Sequence, residues 1–468
     1  MNSFKSAIAG IAIFGTALSA FAEPSTDATI IRITGSTAFR SASHSAIVAL
    51  FDSPPVAGYS GSNLSGSNQS FFYGQVGAQP VIVSTSWSGS TGGIQVVAGS
   101  IPVNFLNDNL ADSGQPALAL AGAGATGGTS LAVGTNSQVA DVAMGDSYQS
   151  ATPFKTPVLA DQKVGVIGFK WIVNRGTNVV TTTATSTAGS PVLTVASSAG
   201  LSVGMTVKST SLPNTLLKIL SVDSGTQVTL TSGTGVLVGT DVSTGFASPS
   251  PISNINTQVA QALWSNGTAK LSQFTGNSAD DGVTVYATGR DPDSGTRLTT
   301  FAESGIGVDS TVTQYKPTVS GSTITAVAPY PPQTVNGILF TEGNGGESSG
   351  STLRNYFGLT SAAINGYIIS YMSTGDAPTA INAGGKELTY NGVAFSDAAL
   401  REGLYTFWCY QHVLYSATWN SAAGGSLEAK KKAIVDVYAN LIKTTYAPIK
   451  LNEMNCSRTA DGGVVFHN

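Results

Sequence analysis

Charge is what this chain has least of. Only 10% of its 468 residues are Asp, Glu, Lys or Arg, and the formal net charge is −4. Without a basic field the chain has no means of holding a long polyanion, which argues against bulk nucleic-acid binding. Cysteine is scarcer still: there are 2, Cys409 and Cys456, and they lack C-x-x-C spacing. The 3 histidines, His44, His412 and His467, lie far apart, so a zinc site is disfavoured. In an exported protein the two cysteines can form one disulfide; a pair of buried thiols is the other reading, and the sequence leaves both open. No motif asks for a metal or an organic cofactor. Long apolar runs are missing too. Beyond the N-terminus none reaches the ~20 residues that span a bilayer.

What is present is glycine, 54 residues of it, with abundant Ser and Thr. That composition suits a secreted or envelope protein rich in loops and strands. The N-terminus reads as a signal peptide over residues 1–22: Lys5 is the charged start, "AIAGIAIFGTALSA" the apolar stretch, and "AFA" the small residues before cleavage. Glu23 would then be the new N-terminus, so no lipid-bearing cysteine is indicated. A periplasmic or secreted location follows. The length predicts more than one core.

Along the chain, "TIIRITGS" (29–36) reads as a strand, "TAFRSASHSAIVALF" (37–51) as a helix, and "QPVIVSTSW" (79–87) as a strand before the Gly-rich turn "SGSTGG". Residues 111–138 read as an Ala/Gly-rich surface loop, and "KVGVIGFKWIVNR" (163–175) as a buried strand. From 177 to 248 the composition changes: charge nearly vanishes and Val or Leu alternates with Thr or Ser. Period-2 patterning with turns at "LPNT" and "DSGT" predicts an inserted all-β module. The α/β pattern resumes with helices within 252–274 and 298–307 and strands at 283–287 and 365–372. Helices are expected over 397–417 and 426–447. The fold class expected is α/β in two lobes: 29–165 with 373–468 as lobe I, and 166–372, carrying the insertion, as lobe II.

Four short loops stand where a strand ends and a helix-like stretch begins: "GSTAF" (35–39), "GSTGGI" (89–94), "AMGDS" (143–147) and "RDPDSGT" (290–296). Free backbone N–H groups and the helix dipole favour negative charge at such points. Thr37, Ser90, Ser294 and Thr296 add neutral hydroxyl donors, and Gly92 and Gly93 allow close backbone approach. Arg290 offers a planar fork of donors to an oxyanion, and Asp146 is its expected partner.

The order of these motifs resembles the periplasmic phosphate-binding proteins of ABC-type importers, over most of 29–446 outside the insertion. "ITGSTAF" resembles the family's "GAGATF" or "GSST", "GSTGGIQ" its "GSSGGIK", "DVAMGDSYQ" its "DFGASDAPL", and "GRDPDSGTRLTTF" its "RADGSGTTFxF". "INGYIISYM" resembles the structural segment "GAIGYVEYA". The resemblance implies a two-lobed periplasmic-binding-protein fold of type II. It implies phosphate held by Thr37, Ala38, Ser90, Asp146, Arg290, Ser294, Gly295 and Thr296, no catalysis, and a monomer that delivers phosphate to an ABC-type membrane permease. The chain departs from the pattern in the long gap between Ser90 and Asp146, in "DPD" before the Ser-Gly-Thr triplet, and in the β insertion.

The chemistry of such a site is definite. Phosphate near neutral pH carries a proton that an ionised Asp146 can accept. Sulfate carries none and would meet the carboxylate as a bare acceptor. Three other readings compete. A surface or adhesive protein could keep the fold without transport. A relative could bind molybdate, tungstate or sulfate. "GESSG" (346–350), with Ser348, Asp376 or Asp397, and His412 in that order, fits a hydrolase triad. The polar "TEGNGG" between the strand-like "ILF" and Ser348 argues against the last.

Overall fold

The computed structural model describes residues 27–61, 63–64, 66–106, 129–130, 135–177, 179–213, 217–335 and 337–468. The expected signal segment lies outside the described residues, as do 111–128 and 131–134 of the expected loop. The end of that loop differs from expectation: Thr135–Val139 is a strand, antiparallel to Pro102–Leu106.

The elements that carry the site, in chain order, are β1 (Thr29–Gly35), α1 (Arg40–Leu50), β2 (Gln79–Trp87), α2 (Ser90–Gly99), β3 (Val142–Gly145), β4 (Leu159–Val173) and α3 (Thr257–Asn266). They continue with β5 (Thr284–Ala287), α4 (Gly295–Glu303), β6 (Gly366–Ser373), β7 (Lys386–Tyr390), β8 (Trp408–Ser416) and α5 (Leu427–Leu441). The class is α/β. A 13-stranded sheet runs through the molecule, and its central order is β5-β6-β4-β8-β3-β1-β2. β1 lies parallel to β2 and β3, so the loops following these three strands leave the sheet at one edge.

β4, at 15 residues, is long enough to serve two cores. Its first half pairs β8, and its second half pairs β6 and β7. One core gathers Ile31, Ile47, Val83, Met144 and Val164 with Val413, Val435 and Tyr438. The other gathers Trp171, Trp264, Val285, Phe301 and Tyr371 with Leu388, Tyr405 and Phe407.

β8 corrects the sequence reading. Helix stops after Asp397–Arg401, Gly403 takes φ +72°, and Trp408–Ser416 is a strand. The run "WCYQHVLY" is buried on both faces between β4 and β3. Aromatic and β-branched residues suit a central strand, and a run apolar on both faces has no period to tell it from a buried helix.

The insertion is a closed six-stranded barrel formed by Val179–Ser186, Val192–Val195, Thr206–Lys208, Leu217–Ser224, Gln227–Leu230 and Gly239–Ala247. Its alternating residues Leu193, Val195, Ile219, Val228, Leu230 and Phe246 fill the interior. Arg175, at the end of β4, ties it to the body through Nε to Thr206 Oγ1 (2.9 Å) and Nη2 to the Thr206 and Gly245 carbonyls (2.9 Å each). Both cysteines are free and buried. No helix among the described residues is long and apolar enough to cross a membrane.

Candidate anion site

Three strand ends are stitched together by backbone. Gly35, at φ +124°, closes β1, and its carbonyl accepts from Gly89 N–H at 2.9 Å. Ser36 N–H donates to Met144 O at 2.8 Å. A Cβ on Gly35 would stand 2.1 Å from that carbonyl, and one on Gly93 would stand 2.5 Å from Gly35 Cα, so neither position has room for a side chain. The glycines thus set how closely α2 sits against β1 and β3.

α2 starts at Ser90 without a side-chain cap, which leaves its first-turn N–H groups to other partners. Thr91 N–H donates to Asp293 O at 3.0 Å, so the loop before α4 meets the start of α2 directly. α4 is capped by Ser294, whose Oγ accepts from Arg297 N–H at 3.3 Å. Two helix N-termini therefore face one place.

Asp146 occupies that place. Its N–H donates to Ser90 Oγ (3.0 Å), its carbonyl accepts from Thr299 Oγ1 (3.0 Å), and its Oδ2 accepts from Ser36 Oγ (3.0 Å). Ser90 Oγ also meets Ser147 Oγ at 3.0 Å. Oδ1 is buried with no hydrogen-bond partner among the described residues. The side chain is 1% exposed, and burial pushes its carboxyl above the ordinary value. The hydroxyls of Ser36 and Ser90 and the charge of Arg290 pull the other way.

Of the eight residues expected at the site, the structure brings Ser90, Asp146 and Gly295 into contact: a Cβ on Gly295 would meet both Asp146 Oδ1 and Ser90 Cβ. Ser294 and Thr296 are buried on either side of Gly295, Ser294 acting as the helix cap. Thr37 and Ala38 are displaced from the carboxylate by their neighbour. Ser36 makes the contact, Thr37 is half-buried in the turn before α1, and Ala38 packs against the second core.

Arg290 also departs from expectation. It is buried, but its Nε donates to Glu347 O (2.9 Å) and its Nη2 to Ser348 O (2.8 Å). No ion pair joins it to Asp146 among the described residues; it acts on that carboxylate through its charge. Two carbonyls of the partly exposed 347–348 segment reach the fork first, and guanidinium N–H groups donate to carbonyl oxygens as well as to carboxylates.

Ser36, Ser147, Thr299 and Arg297 escape the sequence reading. Arg297 donates to the carbonyls of Arg290 (3.2 Å) and Asn344 (2.9 Å), bracing the loop from behind. The "GST" motif carries the signal for Ser36; the others sit one helical turn or one residue from expected positions.

The hydrolase arrangement is not assembled among the described residues. Asp376 pairs with Arg354 (3.1 Å), His412 Nδ1 meets Asp161 Oδ1 (2.8 Å), and the Ser348 carbonyl takes Arg290. No cluster of three or more His, Cys, Asp or Glu fit to hold a metal exists among the described residues.

No protein-family model matches the chain. No curated protein matches it either. Among solved structures it is similar to an ABC-type phosphate transport receptor from Vibrio cholerae, at 12% identity over 90% of this chain and 99% of that one, with TM-score 0.41. It is also similar to a putative phosphate ABC transporter substrate-binding protein with bound phosphate from Clostridium perfringens, at 10% identity, the same coverage and TM-score 0.41. A third similar structure is PstS from Borrelia burgdorferi, at 10% identity over 89% of this chain and 94% of that one, with TM-score 0.35.

Proposed function

We propose that the chain is a solute-binding protein whose ligand is a small protonated oxyanion, inorganic phosphate first, held between the two α/β lobes. One observation supports this most: segments distant in sequence place Ser36, Ser90 and Gly295 around a buried carboxylate with an unpartnered oxygen, where two helices begin. Such an oxygen can accept a ligand's O–H, while serine hydroxyls and helix N–H groups donate to the remaining oxygens. Arg290 supplies positive charge without a pairing that would neutralise Asp146. The motif order carries the further proposal that the chain is exported and hands its ligand to an ABC-type permease.

Isothermal titration of the full chain against phosphate, sulfate, molybdate and tungstate tests the reading. Saturable binding of phosphate in preference to the other three is the expected result. A preference for sulfate or molybdate would overturn the role given to Asp146.

An adhesive role is favoured by a different feature, the outward-facing apolar residues of the barrel. Val203, Leu237, Val238 and Val242 are all more than 60% exposed, at 66%, 61%, 75% and 76%. Failure of all four anions to bind would leave this reading in place.

A further inference from the structure

A cavity of about 180 Å³ adjoins the anion site on the outer side of the contact between Thr91 and Asp293. That is far above the ~10–15 Å³ that holds one water. Phe154, Leu298, Val308, Val335, Ile338 and Phe340 line much of it, drawn from both sides of the contact between α2 and α4. A site built only for a tetrahedral inorganic ion has no use for this apolar volume; polar donors on every side serve such an ion better.

Two links join the cavity to the carboxylate. Thr91 and Asp293, which line it, directly neighbour Ser90 and Ser294, and the hydrogen bond from Thr91 N–H to Asp293 O (3.0 Å), with Gly89 packed against the same carbonyl, separates the cavity from the carboxylate. Thr91, one of several polar residues in the cavity lining, carries an unsatisfied polar atom. The residue is 4% exposed, and its Oγ1 is buried with no partner among the described residues. A buried hydroxyl left without a partner is costly, and a ligand oxygen at that point would relieve the cost.

We infer that the ligand is a monosubstituted phosphate or phosphonate: the head group lies beside Ser90, Asp146 and Gly295, and an apolar arm passes the Thr91–Asp293 contact into the cavity. This rests on the oxyanion reading above and narrows it. Thr91 Oγ1 donates to the oxygen that joins head and arm, or to a head-group oxygen where the arm is joined through carbon. The proton between the head group and Asp146 Oδ1 comes from the head group, as in the oxyanion reading.

Calorimetric titration of the full chain with inorganic phosphate, phenyl phosphate and phenylphosphonate tests this. Burying a phenyl group contributes roughly 1.5–3 kcal/mol, so the phenyl compounds are expected to bind about tenfold more tightly than phosphate, or better. Ile338→Glu, at a hairpin position 41% exposed, is expected to bring the ratio of phenyl phosphate to phosphate affinity close to one. Phosphate binding with no phenyl advantage, or an advantage that Ile338→Glu leaves intact, would overturn the arm and spare the oxyanion site. Binding of none of the three would overturn both.

Discussion

Gly295 lies so close to Asp146 that a Cβ added to it would stand 1.7 Å from Oδ1, and 2.5 Å from Ser90 Cβ as well. The start of α4 thus approaches the carboxylate by backbone alone. Gly295→Ala is expected to force the carboxylate or the helix aside, costing about 1–3 kcal/mol of stability as an overpacked core does. Urea unfolding checks this, and the same variant should lose phosphate binding. Parent-like stability would mean that the contact is looser than described.

Arg290 should matter for stability and for binding, by separate routes. Arg290→Ala leaves the Glu347 and Ser348 carbonyls without their donor and removes the positive charge that lowers Asp146. These acceptors are only partly buried, so each lost bond costs about 0.5–1.5 kcal/mol, and a modest fall in melting temperature is expected together with loss of detectable phosphate binding. Arg290→Lys keeps the charge and loses the fork, so it should recover binding more than stability. Unchanged affinity in Arg290→Ala, read by calorimetry, would remove Arg290 from the account.

The turn after β1 offers a comparison between adjacent hydroxyls. Ser36 reaches Asp146 and Thr37 does not. Ser36→Ala is therefore expected to weaken phosphate affinity by about fivefold to tenfold, the worth of one hydrogen bond to a charged group or slightly less. Thr37→Ala should stay within about twofold of the parent. The reverse order would restore Thr37 as the ligand contact.

These comparisons also show what could be read from residues alone. Ser90 is singled out by a Gly-Ser turn between strand and helix, where N–H groups favour negative charge, whereas Asp146 and Gly295 are singled out as ligand contacts by the resemblance of their motifs. The choice between Ser36 and Thr37 is not legible. It depends on the backbone turn at Gly35, where φ is +124°, and on Met144 O fixing Ser36 N–H. Arg290 turns to carbonyls, which leave no mark in a sequence. The strand Trp408–Ser416 eludes periodicity for a related reason: a run buried on both faces has no polar side to betray its period. The barrel, most of whose strands keep one face toward solvent, alternates plainly.

A buried carboxyl beneath the site gives a pH test. Asp461 Oδ2 accepts from Tyr148 N–H at 2.8 Å, and Oδ1 has no partner among the described residues. Burial raises this carboxyl to about 6, against the nearby charges of His412 and Arg458. The folded chain therefore holds the proton to higher pH than the unfolded chain does, and loses stability as pH rises from ~4 to about 6. Asp461→Asn removes that loss. Its stability relative to the parent should rise by about 2 kcal/mol between pH 4.5 and 7.5 in denaturant titrations. His44, pushed down to about 3 by burial, acts in the opposite sense in both proteins and cancels in the difference. A difference independent of pH would show that Asp461 is not held as described.

The most direct measurement is the ratio of phosphate to sulfate affinity, by calorimetry near neutral pH, in the parent and in Asp146→Asn. Asparagine keeps an acceptor for Ser36 and adds a neutral donor facing the ligand, so sulfate no longer meets a bare carboxylate. The account predicts a strong preference for phosphate in the parent, reduced at least about tenfold in the variant. The same ratio in both proteins, or no binding of either anion to the parent, would contradict it.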